Sequence, residues 1–173
     1  ASFGSNAMQI FTKNPRGSGA KPILKSYADE FKKICKENKI EFVVAHCSYL
    51  LNFAKPLSTS HWSIKDIVLD LERIQLLGGK GVVLHVGKAL DTPYDEALKH
   101  LITNLKLILS KTAKLGNLLI LENTASQGSE MGYSFEQLGR IYTLLGKHKR
   151  VKFCLDTQHA FAAGYDWNKK NGV

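Results

Sequence analysis

Residues 82–85 read Val82-Val83-Leu84-His85, a short run of strand-forming apolar residues that ends on a histidine. Three other apolar runs also end on a residue that binds metal ions well: Val43-Val44-Ala45-His46, Leu119-Ile120-Leu121-Glu122 and Phe153-Cys154-Leu155-Asp156. The four terminal residues are 39, 37 and 34 positions apart, an interval that fits one strand, one helix and two loops. The sequence therefore predicts a repeated βα unit with a polar side chain at the carboxyl end of each strand.

Helix signals fill the intervals between these runs, because apolar residues recur there every three or four positions. A further short strand is expected over Gln9–Thr12, which gives five βα units. A (β/α)8 TIM barrel needs about 250 residues, so residues 1–173 are predicted to form a single domain that is an incomplete barrel, about five of eight units. The predicted helix N-caps are Ser26, Ser63, Thr92 and Ser134.

The composition is that of a globular domain, and the charge favours an anionic partner. Apolar residues make up 44% and charged residues 23%, as in ordinary globular domains. Lys and Arg number 24 against 15 Asp and Glu, and a net charge of +9 favours a polyanionic partner such as DNA or RNA. The basic run 147–150 is interpreted as solvated surface.

The location expected for the protein is intracellular, in the cytoplasm or nucleus. No apolar run is long enough to cross a bilayer, and residues 1–7 lack the features of a signal peptide, so a soluble protein is expected. Cys35, Cys47 and Cys154 have no metal-type spacing and are interpreted as reduced, buried thiols.

Parallel strands linked by helices have all their carboxyl ends on one rim, so His46, His85, Glu122 and Asp156 are expected to converge. His159 lies three residues beyond Asp156 and can reach the same rim from the following loop. Imidazole and carboxylate donors suit zinc, with manganese or iron as less specific alternatives. A single histidine or glutamate at a strand end is often structural, but four successive strand ends predict a metal site.

Four longer motifs carry a resemblance to a known family. They are Phe11-Thr12-Lys13-Asn14-Pro15-Arg16, His46-Cys47-Ser48-Tyr49-Leu50-Leu51-Asn52, Leu121-Glu122-Asn123-Thr124-Ala125-Ser126-Gln127-Gly128-Ser129 and residues 154–166. These motifs resemble those of the endonuclease IV family, zinc-dependent apurinic/apyrimidinic (AP) endonucleases of base-excision repair with a TIM barrel of the xylose-isomerase-like type. The resemblance runs from about Ala7 to Asp166.

The resemblance implies a three-zinc cluster at the rim. His46 and His85 would bind one zinc, Glu122 would bridge it to a second bound by Asp156, and His159 would bind the third. The implied reaction is hydrolysis on the 5′ side of an abasic site, with Glu122 as the catalytic residue that holds or orients the nucleophile. Zinc is therefore the expected cofactor, with Mn²⁺ as the alternative.

The implied partner is double-stranded DNA that contains abasic sites. The sequence does not give the oligomeric state, and a monomer is expected for the complete protein. Arg16, Tyr49 and Leu50 match the family positions that enter the duplex at the lesion. Gly17 and Ser18 follow Arg16 where bacterial relatives carry larger residues, so weaker or altered DNA bending is expected. Asn123 is expected either to orient the metal ligands or to touch phosphate.

Family members also contain strands before and after the region matched here, with further metal ligands on the later ones. The chain is therefore expected to be a fragment of a longer product. Two alternatives stay open: a metal-dependent sugar isomerase or epimerase, whose barrels carry similar residues at strand ends, and a non-catalytic DNA-binding module.

Overall fold

The computed structural model describes residues 4–17 and 20–169, which form five parallel strands alternating with helices. The strands are β1 (Ala7–Ile10), β2 (Phe42–His46), β3 (Gly81–His85), β4 (Leu118–Glu122) and β5 (Val151–Cys154). The helices are α1 (Lys25–Glu37), α2 (Trp62–Leu76), α3 (Tyr94–Lys111), α4 (Phe135–Leu144) and α5 (Thr157–Ala162). Each strand pairs in parallel with the next along the chain, in the order β1-β2-β3-β4-β5. The predicted partial TIM barrel is confirmed.

The two faces of the sheet pack differently, because successive side chains of a strand point to opposite sides. One face packs against the helices in a large buried cluster whose strand residues are Val43, Ala45, Val82, Leu84, Leu119, Leu121 and Val151. The opposite face, which corresponds to a barrel interior, carries a small buried cluster of Val44, Val83 and Ile120. His46, His85 and Glu122 lie two residues beyond these three on their strands, so they share the interior face.

Element boundaries differ from the predictions at several points. The first strand begins at Ala7 and ends at Ile10, so it lies about two residues before the predicted range. The cap at Ser134 is confirmed, because its hydroxyl accepts a hydrogen bond from the Gln137 amide at 3.2 Å. The other three predicted caps are wrong, since the cap positions of α1, α2 and α3 are Leu24, His61 and Pro93.

Arg150 is buried, with only 7% of its surface exposed, so the interpretation of residues 147–150 as solvated is wrong for this residue. Its guanidinium donates to the carbonyls of Asn117, Leu109 and Thr112 and to the Thr112 hydroxyl, at 2.8 to 3.3 Å. A planar fork with five N–H donors suits such a set of acceptors. Arg150 therefore fastens the end of α3 to the start of β4.

None of the helices in the described part of the chain is long and apolar enough to span a membrane. All three cysteines are free, and Cys47 is buried as predicted, whereas Cys35 and Cys154 are only half-buried.

We expect Arg150→Met to lower the free energy of unfolding by about 2 kcal/mol or more, since four buried acceptors lose their donors. Urea titration followed by circular dichroism measures this loss. The matched control is Lys149→Met, at an exposed neighbour, with an expected change within about 0.5 kcal/mol. Equal losses in the two variants would contradict the role given to Arg150.

Candidate metal centre

The carboxyl ends of β2, β3 and β4 bring three metal-binding side chains together. His46, His85 and Glu122 are the last residues of these strands, and the register pairs His85 directly with Glu122. His46 and Glu122 are buried, while His85 is half-buried. Because all three share the interior face, their side chains converge at the rim.

Both imidazoles point at the same carboxylate oxygen. His46 Nε2 lies 3.0 Å and His85 Nε2 lies 3.1 Å from Glu122 Oε2. The other ring nitrogen of His46, Nδ1, is 2.8 Å from the carbonyl oxygen of Cys47, to which it donates. Such a backbone partner fixes the ring orientation of a metal-binding histidine and directs Nε2 towards the ion.

Electrostatics at this contact favour the ionised form of the Glu122 carboxylate. Burial disfavours the charged form of His46, but hydrogen bonds to Glu122 and to the Cys47 carbonyl outweigh it and raise the pKa of His46. Burial likewise opposes ionisation of Glu122, yet hydrogen bonds from His46 and His85 lower the pKa of Glu122 to about 2. Glu122 is therefore ionised and ready to bind a cation.

A second group of donors lies on the β5 side of Glu122. β5 ends at Cys154, so Asp156 is not the last residue of its strand as predicted but the cap of α5. His159 lies within α5 and not in a loop, and its amide donates to Asp156 Oδ1 at 2.8 Å. His159 Nδ1 is 3.8 Å from both Glu122 Oε1 and Asp156 Oδ2, and it lies 2.9 Å from the carbonyl oxygen of Asn123. As at His46, a backbone carbonyl orients the ring.

Asn123 joins the ends of β4 and β5. Its fully buried side chain donates to the Asp156 carbonyl at 3.0 Å and accepts from the Asp156 amide at 2.7 Å. Of the two roles expected for Asn123, orientation of the metal ligands is the one that these contacts support.

The donor set fits divalent metal ions. Two groups each offer three donor atoms within 4.8 Å of one another: His46, His85 and Glu122, and Glu122, Asp156 and His159. Glu122 belongs to both groups, and its two oxygens face different partners. Nitrogen and carboxylate oxygen donors in this combination suit zinc. The structure thus brings together all five residues predicted as ligands, in an arrangement that would let Glu122 bridge two ions.

The three residues predicted to contact DNA lie in the loops that follow β1 and β2. Arg16 is exposed in the loop after β1, and Tyr49 and Leu50 are each 57% exposed in the loop after β2. The Tyr49 ring centroid lies 5.3 Å from that of His46 and 6.4 Å from that of His85, so Tyr49 borders the metal centre. Gly17 is described, but Ser18 lies outside the described residues.

Sequence reasoning missed a buried ion cluster beneath the first loop. Lys13 pairs with Asp66 at 3.2 Å and with Asp70, and the Lys13 and Asp70 side chains are 3% and 1% exposed. Burial raises the pKa of Asp66, although Lys13 opposes this. The available signal was the polar Asp70 beside the apolar stripe of α2, between Ile67 and Leu71, both of which are buried.

Comparisons with known proteins agree with this geometry. The sequence pattern of the xylose isomerase-like TIM barrel family matches residues 1–172. A probable endonuclease 4 of Cenarchaeum symbiosum is 41% identical over 173 residues, which cover 98% of this chain and 61% of that protein. The chain therefore spans about three fifths of the length of this curated relative.

Solved structures give the same result. The crystal structure of endonuclease IV from Thermus thermophilus matches with a TM-score of 0.79 and 28% identity, over 95% of this chain and 57% of that one. A 3-keto-D-glucoside 4-epimerase from E. coli matches with a TM-score of 0.69 over 91% of this chain and 60% of that one, but at 18% identity it shares only the fold. The resemblance to endonuclease IV is confirmed in sequence and in fold.

We expect Glu122→Gln to reduce bound zinc more than His85→Ala does, because only Glu122 belongs to both donor groups. Metal analysis after zinc loading and dialysis measures the ratio of zinc to protein. His100→Ala is the matched control, since His100 lies on α3 and contacts only the exposed Glu96 among charged partners in the described residues. Equal zinc content in the Glu122→Gln and His100→Ala proteins would exclude Glu122 as a shared ligand.

Proposed function

Because this chain belongs to the xylose isomerase-like TIM barrel family, and because it resembles endonuclease IV within that family, we propose that it acts in an AP endonuclease reaction. The reaction hydrolyses the DNA backbone on the 5′ side of an abasic site. The protein works in the cytoplasm or nucleus, where damaged DNA is repaired.

The observation that carries this proposal is the sharing of Glu122 by two donor groups at the carboxyl ends of the strands. Two neighbouring divalent ions are the usual arrangement for in-line displacement at phosphorus, because one ion can serve the attacking oxygen and the other the leaving oxygen. Zinc is the cofactor proposed here, held by His46, His85, Glu122, Asp156 and His159. In a family-like cluster of three, His159 would belong to the third zinc.

Zinc held by these residues would supply Lewis acidity, which polarises a phosphoryl oxygen and neutralises the charge that develops on the leaving group. The protein's own residues hold the reacting water and orient the atoms that bind the metal. Glu122 is ionised and buried, so it can hold a reacting water in place by accepting a hydrogen bond from it. His46 and His159 keep their ring orientations through backbone carbonyls, which limits movement of the donor atoms.

Each donor group offers three protein atoms, whereas zinc prefers four or more ligands. The remaining positions are open to the substrate phosphate, to water or to residues beyond the two groups. The chain covers 61% of its curated relative, so activity of this stretch alone is part of the proposal and is decided by experiment.

Substrate recognition is assigned to Arg16, Tyr49 and Leu50. An abasic nucleotide stacks poorly and is easily moved out of the helix, and apolar or planar side chains can then fill the gap. Tyr49 and Leu50 are each 57% exposed, so their side chains are free to fill the gap left by a missing base. The net charge of +9 supports attraction to the phosphate backbone.

A sugar isomerase or epimerase shares the fold but receives less support. The chain is 28% identical to the solved endonuclease IV but only 18% identical to the epimerase, although it covers similar shares of the two proteins. The sequence therefore favours the endonuclease reaction.

We expect the zinc-loaded chain to nick a duplex oligonucleotide on the 5′ side of its single abasic site, and a chelated sample to leave the duplex intact. Denaturing gel electrophoresis with size markers locates the cut. Glu122→Gln should slow cleavage by roughly 100-fold or more, because it removes the shared ligand, whereas His100→Ala should not change the rate. Unchanged cleavage in Glu122→Gln would refute the mechanism. Duplex binding without any cleavage would favour the non-catalytic DNA-binding module.

Leu50→Ala is expected to weaken binding to an abasic duplex by about tenfold and to leave binding to an intact duplex nearly unchanged. The reason is that the Leu50 side chain can enter the DNA duplex only where a base is missing. Fluorescence anisotropy at fixed salt measures both affinities. Leu144→Ala is the control, because Leu144 is also partly exposed but lies at the end of α4, away from the rim. An equal loss for both duplexes would mean that Leu50 contributes only general contact.

A further inference from the structure

Ser48 connects the two loops that carry the proposed DNA-contacting residues. Its hydroxyl donates to the carbonyl oxygen of Pro15 at 2.7 Å, in the loop after β1. The same hydroxyl accepts from the amide of Leu50 at 3.2 Å, in the loop after β2. Ser48 is 5% exposed, so water has little access to either contact. A single buried hydroxyl thus joins the residue before Arg16 to the backbone of Leu50.

The base of the first loop is fixed separately, by α2. Arg73 donates to the carbonyls of Thr12 and Lys21, on either side of the loop. The buried pairing of Lys13 with Asp66 and Asp70 holds the same start of the loop. Arg16 therefore directly follows Pro15, which Ser48 binds, in a loop whose first residues are bound by α2. Among the side-chain hydrogen bonds of the described residues, the one from Ser48 to Pro15 is the only one that joins these two loops.

We propose that Ser48 is a positioning residue that sets the distance between Arg16 and the Tyr49–Leu50 pair, and that it thereby determines how well abasic DNA is distinguished from intact DNA. This inference rests on the proposed function. Ser48 itself, with its hydroxyl turned to Pro15 and Leu50, acts only through its neighbours.

The physical reason is that two loops must fill one gap in the duplex. A missing base leaves a space of fixed size, so side chains from separate loops fill it together only when their separation is fixed in advance. Without the hydroxyl, the Pro15 carbonyl and the Leu50 amide lose a shared partner, and the tip of each loop gains freedom that must be lost again on binding. Intact DNA offers no gap, so its binding does not depend on this separation.

The first test compares zinc-loaded Ser48→Ala with the zinc-loaded unchanged chain on two duplexes, one with a tetrahydrofuran abasic analogue and one intact. Both duplexes carry a methylphosphonate in place of the phosphate that would be cut, so that no strand is cleaved. We expect the ratio of the two affinities to fall about tenfold in Ser48→Ala, which corresponds to about 1.4 kcal/mol. Ser60→Ala is the matched control, an exposed serine in the same loop whose hydroxyl has, among residues 4–17 and 20–169, a hydrogen bond only with that of Ser58. It should leave the ratio unchanged.

A double-mutant comparison separates positioning from simple loss of stability. Arg16→Ala should lower the affinity ratio strongly in the unchanged chain and much less in the Ser48→Ala background, because the two loops are no longer coupled. A merely destabilising change would lower binding to both duplexes and leave the effect of Arg16→Ala as it was. That pattern would overturn the proposal.

Amide hydrogen exchange in the DNA-free protein tests the contact itself. The Leu50 amide should exchange at least about tenfold faster in Ser48→Ala than in Ser60→Ala, while amides of β2 keep their protection. Unchanged exchange at Leu50 would overturn the positioning role whatever the DNA result. If the unchanged chain shows no preference for the abasic duplex, the proposed function fails, and the discrimination role of Ser48 fails with it. The exchange result then decides only whether Ser48 fixes the loops.

Discussion

The carboxylate of Glu122 is the point at which both donor groups meet, and its place depends on the register of β4 against β3. That register pairs His85 with Glu122, and the neighbouring strand β2 delivers His46 to the same oxygen. A buried carboxylate is stable only with partners, because moving it out of water is costly. The histidines supply those partners in the protein alone, and a cation can take over the same role. A shift of β4 by one residue would turn Glu122 towards the helices and dissolve both groups.

The two faces of the sheet differ in what their side chains contact. The helix-facing side carries the large buried cluster, with residues such as Leu84, Leu121 and Leu101 fully buried. Among the described residues, the interior side carries the buried cluster of Val44, Val83 and Ile120, and the polar groups follow at its rim. In barrels of this type the carboxyl rim carries the reaction and the rest of the fold carries the stability.

Strand periodicity explains why so much of the site was predictable from the sequence. The direction of a strand and the alternation of its side chains determine the end and the face of the sheet at which each residue lies. His46, His85 and Glu122 could therefore be placed together without knowledge of side-chain contacts. The prediction for Asp156 was wrong in detail, because β5 ends at Cys154 and Asp156 caps α5, although the residue still lies beside Glu122 and His159. The motif match to endonuclease IV supplied the assignments of Arg16, Tyr49 and Leu50, which periodicity alone does not provide.

Long-range polar contacts were beyond the reach of sequence patterns. The partners of Lys13 lie 53 or more residues away on α2, and local spacing contains no information about such pairs. The helix caps failed for a related reason, since the ring of His61 accepts from the Ser63 amide and leaves Ser63 inside the helix. N-cap preferences identify the residue types that can cap a helix. The path of the preceding loop determines which of them takes the cap position.

These long-range contacts also explain how exposed apolar side chains can stay ordered beside the metal centre. Tyr49 and Leu50 are each 57% exposed, so burial contributes little to holding them. Their order comes from the backbone, through Ser48 and through the Asn52 side chain, which donates to the Lys88 carbonyl and accepts from the Lys88 and Ala54 amides. Side chains placed in this way lose little freedom when they bind, and the hydrophobic surface that they leave in water is recovered only on contact with a partner.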